Sequence, residues 1–320
     1  MTRVVVVGAG ALGSVVGGLL AHSGEDVVLL AHGEHAAALA RGPLELRLPH
    51  ETLAVDVEVA AEAEGDVVVL TAKRFDSGEA LAAVRGAPQL AISLQNGPGK
   101  NEELAARFGP GPVAGAASTT AAQLVEPGVV ASQSLGLTYL DGGHPRGAAF
   151  AETLQAAGIE ARAVDRIESV EWSKLAHVAG SMLLQALTRL PLHELFERPE
   201  SAGLLHRVIQ EVGAVAAAAG SGLDDWPGLL PVATLAGHRE EEAAALLAER
   251  GEALRRSGAT ELRTSMLTSI LAGRPTELEP IHGGLVRAAR GLGVTVPVLE
   301  TGYRLALLAP EATPRPGRRS

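Results

Sequence analysis

The residues Gly8-Ala9-Gly10-Ala11-Leu12-Gly13 directly follow an aliphatic run, Val4–Val7, and open an apolar stretch that reads as a helix. Glycines at this spacing permit a tight turn, let backbone approach a pyrophosphate, and let the helix pack closely on the strand. The anion itself then falls to the helix N-terminus. A carboxylate roughly 20 residues further on would hold a ribose 2′-hydroxyl. Here Leu30-Ala31-His32-Gly33-Glu34 places no acid at the end of the second strand. Exclusive NAD use is therefore disfavoured and NADP is expected, with His32 the nearest group able to donate to a 2′-phosphate.

Lysine occurs only at Lys73, Lys100 and Lys174, while every other basic residue is arginine. Arginine keeps its proton, whereas burial can tune a lysine toward acid–base work near neutral pH, so each retained lysine is a candidate for chemistry. Asparagine is as scarce, occurring only at Asn96 and Asn101. The chain has no cysteine, which removes disulfides, thiolate metal sites and cysteine nucleophiles. His177, His193, His206 and His238 do not stand at metal-ligand spacing with a carboxylate, so no metal is expected. The absence of a G-x-S-x-G elbow removes the commonest hydrolase reading.

These residues need a scaffold, and the periodicity supplies one. Val4–Val7, Val27–Leu30, Asp66–Leu70, Ala91–Leu94 and Val113–Ala117 read as buried strands alternating with helical segments, which implies an α/β domain with a mostly parallel sheet of Rossmann type. Val129–Leu140 reads as antiparallel completion of that domain. From Ile167 the apolar residues Val170, Leu175, Val178, Met182 and Leu187 fall at helical spacing. Further helices are expected around 204–219, 240–256, 276–292 and 298–308, making the C-terminal domain all-α. The boundaries expected are 1–165 for the dinucleotide-binding domain, 166–309 for the helical domain and 310–320 for a frayed tail. A length of 320 residues suits two such domains. A net charge of −10 and an aromatic content of 2% argue against nucleic acid as a partner. The glycines break the N-terminal apolar stretch, so it is read as strand and helix rather than a leader, and no segment reads as a membrane span. A cytoplasmic protein is expected, with a homodimer left open.

The chain also resembles the ketopantoate reductase family. The resemblance rests on the glycine loop, Ala31-His32-Gly33-Glu34-His35, Thr71-Ala72-Lys73, Gln95-Asn96-Gly97, Glu171-Trp172-Ser173-Lys174-Leu175, and Ser265-Met266-Leu267 followed by Thr276-Glu277. It implies NADPH-dependent reduction of 2-dehydropantoate to pantoate, in pantothenate biosynthesis. Lys174 is then the general acid, and Glu277 the acidic partner of the active site and a cofactor contact. Lys73 and Asn96 would face cofactor and substrate, and Ser265 the substrate carboxylate. The family usually has arginine at the position of His32, and Asp and Asn at those of Ser269 and His282. It also carries asparagines one and two turns beyond the lysine, where this chain has Val178 and Met182. His177, Ser181 and Gln185 form a polar stripe near that side of the helix and could compensate for the missing amides. If they do not, another, less polar ketone or imine becomes the alternative substrate. A non-catalytic NADP-binding regulator is the alternative of a different class.

Overall fold

The computed structural model describes residues 2–309, so the tail expected at 310–320 lies outside the described residues. The chain divides into two compact units, Met1–Ile167 and Glu168–Ser320.

In the first unit β1 (Arg3–Val7), β2 (Asp26–Leu30), β3 (Glu58–Ala60), β4 (Val67–Leu70), β5 (Leu90–Ser93) and β6 (Val113–Ala114) form one sheet in the order β6-β5-β4-β1-β2-β3. Every neighbouring pair is parallel. This is the strand order of dinucleotide-binding folds, with ligands expected outside the carboxyl ends of the strands. The continuous valines of β1 are required because this central strand is buried on both faces; Val4 to Val7 are at most 1% exposed. Helix α1 (Ala11–His22) follows β1.

Two features of this unit differ from expectation. The run at 113–117 splits around Gly115: β6 stays in the main sheet, whereas Ala116–Ser118 pairs antiparallel with Thr138–Asp141 in a second sheet. A hairpin of Leu44–Arg47 and Thr52–Val55 joins Val129–Ser134, which pairs antiparallel with Ala121–Glu126 but parallel with Leu44–Arg47. The strand Leu44–Arg47 buries Leu44 and Leu46 while Glu45 and Arg47 pair outside, an alternation too short to stand out in sequence.

The second unit is helical. Helix α2 (Ile167–Thr188) is followed by Leu192–Glu197, Pro199–Ala218, Val232–Gly237, α3 (Glu240–Arg256), Ser265–Leu271, a π-turn at Glu279–Gly283 continuing into Gly284–Gly291, and Pro297–Leu308. Its core is aliphatic, as the low aromatic content demands, with Phe196 its one fully buried aromatic among the described residues. Four consecutive residues of α2, Ser173 to Ala176, are buried, so this helix is covered around its whole circumference. No helix among the described residues is long and apolar enough to cross a membrane.

Candidate active site

The first unit brings its chemistry to the carboxyl edge of the parallel sheet. The glycine loop leaves β1, His32 follows β2, Lys73 follows β4 and Asn96 follows β5, four strands adjacent in the order β5-β4-β1-β2. Gly8 has φ +97°, and a Cβ there would lie 2.5 Å from the Ala72 backbone. A Cβ on Gly13 would lie 2.2 Å from the Gly8 carbonyl oxygen and 2.5 Å from Thr71 Oγ1. These two glycines are therefore demanded by the protein's own packing. Gly10 differs: a Cβ there would meet nothing within 4 Å, so the space above it is open. Gly10 is the N-cap of α1, and no side chain caps the helix. Ala11 and Leu12 form its first turn, with no acidic residue there. The amide N–H groups of that turn, together with the helix dipole, present a partial positive charge to the open space.

Three polar side chains hold this edge, and sequence reasoning had not singled them out as site residues. Thr71 Oγ1 donates to the Gly8 carbonyl at 2.7 Å, tying the β4 exit to the glycine turn. Gln95 is buried, and its amide nitrogen donates to the Ala72 carbonyl at 2.7 Å and to Ser77 Oγ at 2.8 Å, while its oxygen accepts from Ser93 Oγ. It fastens the β5 exit to the loop that carries Lys73. His35 lies behind α1: its Nδ1 accepts from the Gly128 amide at 3.0 Å, so the ring proton sits on Nε2 and is donated to Ser14 Oγ at 3.1 Å. Ser14 Oγ in turn donates to the Ala9 carbonyl at 3.1 Å. Burial lowers the His35 pKa, which keeps this chain neutral. Of the histidines in Ala31-His32-Gly33-Glu34-His35, His35 is thus a pin and His32 is the exposed one, standing just before the helix Gly33–Leu39 without a side-chain bond to it. Lys100, the third lysine, is structural as well: its buried Nζ donates to the Ser93 and Ala116 carbonyls at 2.7 and 2.6 Å.

Asn96 carries the second signature of a group awaiting a ligand. Its Oδ1 is buried and has no hydrogen-bond partner, an arrangement that costs free energy in the absence of a donor. An open space over Gly10, an uncapped helix and an orphaned amide oxygen on one sheet edge can accept an anionic, hydroxyl-bearing ligand.

In the second unit Lys174 is 9% exposed, in the N-terminal half of α2. The helix is fixed beside it: Ser173 Oγ accepts from the Asp224 amide at 2.9 Å, and Ser169 Oγ donates to the Asp224 carboxylate at 2.5 Å. His177, three residues on and on the same helix side, is pushed down to about 4, first by burial and then by the positive charges of Arg250 and Lys174. Its Nδ1 accepts from the Leu230 amide at 3.5 Å, so a neutral ring has its proton on Nε2. Glu277 is buried immediately before the helical turn that begins at Leu278, and its carbonyl accepts from the Ile281 amide. That segment is fastened to α2 by His282, wholly buried, whose Nε2 donates to the Ala179 carbonyl at 2.8 Å. Burial pushes His282 down to about 4. Ser265, at the start of Ser265–Leu271, is exposed.

The polar stripe expected on α2 requires correction. Gln185 is fully buried and its amide is committed to backbone: Nε2 donates to the Leu190 carbonyl at 3.0 Å, and Oε1 accepts from the Thr264 amide at 2.8 Å. It holds the segment before Ser265 and has no capacity left for a ligand. Ser181 is buried and its hydroxyl donates to the His177 carbonyl of its own helix. Val178 is half-buried against the core of the unit, and Met182, 3% exposed, belongs to it. Of this stripe, only His177 keeps a donor not assigned to backbone. No cluster of His, Asp or Glu suited to a metal occurs among the described residues.

Comparison with known proteins is consistent over nearly the whole chain. Residues 4–143 match the ketopantoate reductase PanE/ApbA family, and residues 166–308 match its C-terminal family. A 2-dehydropantoate 2-reductase of Archaeoglobus fulgidus is 31% identical over 306 residues, covering 93% of this chain and 95% of that protein. One from Pyrococcus horikoshii is 28% identical over 306 residues, covering 92% and 93%. The crystal structure of a PanE/ApbA family ketopantoate reductase from Ralstonia eutropha superposes with a TM-score of 0.80 at 25% identity, covering 96% of this chain and 97% of that one. A glycine cradle on a parallel sheet, a buried lysine on a helical unit, and matches spanning both units place the chain in the ketopantoate reductase family.

Proposed function

We propose that the protein is an NADP-dependent oxidoreductase that reduces a 2-oxo acid, the reaction of its named relatives being that of a 2-dehydropantoate 2-reductase. The observation that carries this reading is Lys174: an ammonium buried in a helix interior, one turn from a neutral histidine, on a chain with only two other lysines.

The first unit fits a dinucleotide. The uncapped turn of α1 with Gly8, Gly10, Ala11, Leu12 and Gly13 holds the pyrophosphate, His32 faces the 2′-phosphate, Lys73 faces cofactor and substrate, and Asn96 Oδ1 accepts a ribose hydroxyl. When bound, NADPH supplies a hydride to the 2-oxo carbon. Lys174 then places positive charge against the oxygen that becomes anionic and delivers the Nζ proton to it. Glu277 orients and balances that ammonium, and Ser265 receives the substrate carboxylate. His177, neutral above about pH 4, contributes an Nε2–H donor without adding charge. Since the second strand ends without a carboxylate, NADPH is preferred to NADH, by less than an arginine at position 32 would give.

The reading is tested by following NADPH and NADH oxidation in parallel over a panel of 2-oxo acids that includes 2-dehydropantoate. Turnover with NADPH in the ordinary enzyme range, about 10⁴ M⁻¹s⁻¹ or more in kcat/KM, is expected for at least one member. No turnover of any 2-oxo acid with either nucleotide would sink it.

A further inference from the structure

The guanidinium of Arg74 joins the two loops that carry Lys73 and Asn96. Arg74 follows Lys73 in the loop after β4, and its side chain is only 6% exposed. Its Nη1 donates to the Pro98 carbonyl at 3.0 Å, and its Nη2 pairs with the Glu103 carboxylate on the helix Lys100–Phe108. The rigid fork therefore grips the Asn96–Gly99 loop near its middle and anchors that grip on the helix that follows. Local sequence leaves this loop pliable: Gly97 and Gly99 take left-handed φ values of +99° and +79°, and Pro98 between them has no amide to donate. The ends of the loop have their own fixings, Gln95 on the Ala72 carbonyl and Lys100 on the Ser93 and Ala116 carbonyls. Arg74 holds the stretch between them. Arginines such as Arg85, Arg239 and Arg304 pair on the surface with side chains at least 60% exposed, whereas the buried Arg74 bears a desolvation cost that those pairs avoid.

We propose that Arg74 is a positioning residue for the nicotinamide half of the cofactor: by holding the Asn96–Gly99 loop, it sets where the Asn96 amide oxygen stands to receive a ribose hydroxyl. This rests on the reading of Asn96 as a ribose acceptor. Asn96 Oδ1 is buried without a hydrogen-bond partner, so its place before a ligand arrives is set by the loop and not by a bond of its own. The order of strands assigns the halves. With the pyrophosphate at α1, the 2′-phosphate side belongs to His32 after β2, and the opposite side, at β4 and β5, is left for the nicotinamide ribose. The adenosine half has separate supports, since Thr71 braces the glycine turn and Ser14 with His35 braces α1. Loosening the grip should therefore be felt on one half of the dinucleotide only.

Calorimetry on the full chain tests this with two ligands, NADPH and adenosine 2′,5′-bisphosphate, which lacks the nicotinamide ribose and reads the adenosine half alone. Arg74→Ala is expected to weaken NADPH by about 10-fold, the order of one hydrogen bond, and to leave the bisphosphate within about 2-fold of the parent. In an Asn96→Ala background the same substitution should change NADPH affinity by less than about 2-fold, because the group it positions is gone. Arg74→Lys, a point charge in place of a fork, should restore part of the loss, and Glu103→Gln should give a smaller loss in the same direction. The ratio of the two affinities is taken within each protein, so a lower folded fraction cancels. An Arg74→Ala protein that binds NADPH as the parent does, that loses both ligands alike, or whose loss persists undiminished in the Asn96→Ala background would overturn the positioning role. Failure of the parent to bind either ligand would instead overturn the dinucleotide reading, and the positioning role with it.

Discussion

The two units solve the problem of holding a ligand in opposite ways. In the first, side chains such as Thr71, Gln95, His35 and Lys100 are spent on bracing loops, and what is left uncommitted is the first-turn amides of α1, the open space at Gly10 and the buried, unpartnered oxygen of Asn96. In the second, several polar side chains of α2 and its neighbours are spent on backbone, as with Gln185, Ser181 and His282, and the candidate groups are the side chains Lys174 and His177. A site made of backbone can be recognised from glycine spacing, because few residues satisfy its geometry. A site made of side chains on helices can be rewritten at single positions while the helix persists, so family membership constrains substrate choice less than it constrains the fold.

The sharpest break in the comparison is Lys174→Ala. It should lower kcat by roughly 10²–10⁴-fold while fold and nucleotide affinity persist, as measured by steady-state kinetics and a fluorescence titration of NADPH. Unimpaired turnover in a folded variant would assign the acid elsewhere.

The glycine cradle allows a paired test of whether a position serves the fold or the ligand. Gly13→Ala places a Cβ against the Gly8 carbonyl and should shift α1, lowering Tm and weakening NADPH binding together. Gly10→Ala meets no protein atom and should leave Tm within about 2 °C of the parent while weakening NADPH by about 10-fold or more. Equal thermal penalties in the two variants would mean that the open space is not a ligand site.

Acid stability distinguishes the units further. The unfolded pKa of His282 is near 6.5 and its folded value is about 4, so the unfolded state binds the proton first. Stability from this residue is complete above about pH 6.5 and falls as pH drops toward 4, by roughly 3 kcal/mol across the whole window. His177 and His35 act in the same direction. Urea denaturation between pH 4 and 7.5 should show this slope, and His282→Asn, which retains a donor for Ala179, should flatten part of it. An unchanged slope would place the acid sensitivity in other groups.

Placing amides on α2 should separate positions 178 and 182. Met182→Asn places a polar group in an apolar core and should cost about 2–4 kcal/mol, whereas the half-buried Val178→Asn should cost less than about 1.5 kcal/mol. Similar losses would mean that the two positions share one environment. The smallest effect expected is at His32: His32→Arg should strengthen NADPH relative to NADH by about 10-fold or less, because the position is exposed and solvent screens it.

The sequence by itself determined the class of each unit, the parallel sheet and its glycine turn, the helical character from Ile167 onward, and the family. The first three follow from local rules, since β-run composition, glycine conformational freedom and helical periodicity act over a few neighbouring residues, whereas the family rests on a resemblance of motifs spread along the chain. Short, weakly patterned pieces such as Leu44–Arg47 and β3 were not legible, because their pairing energy comes from strands distant in sequence. The same holds at the candidate site. Lys174 could be singled out by its rarity, but that Lys100 is a brace, Gln185 a backbone clamp and Met182 a core residue was decided by the atoms that folding brings within bonding distance. Arg250 is one arginine among many in the sequence. Only the tertiary structure sets it, without an ion-pair partner among the described residues, at the edge of an apolar cavity, because the burial and electrostatics that give a side chain its role are properties of its surroundings rather than of its residue type.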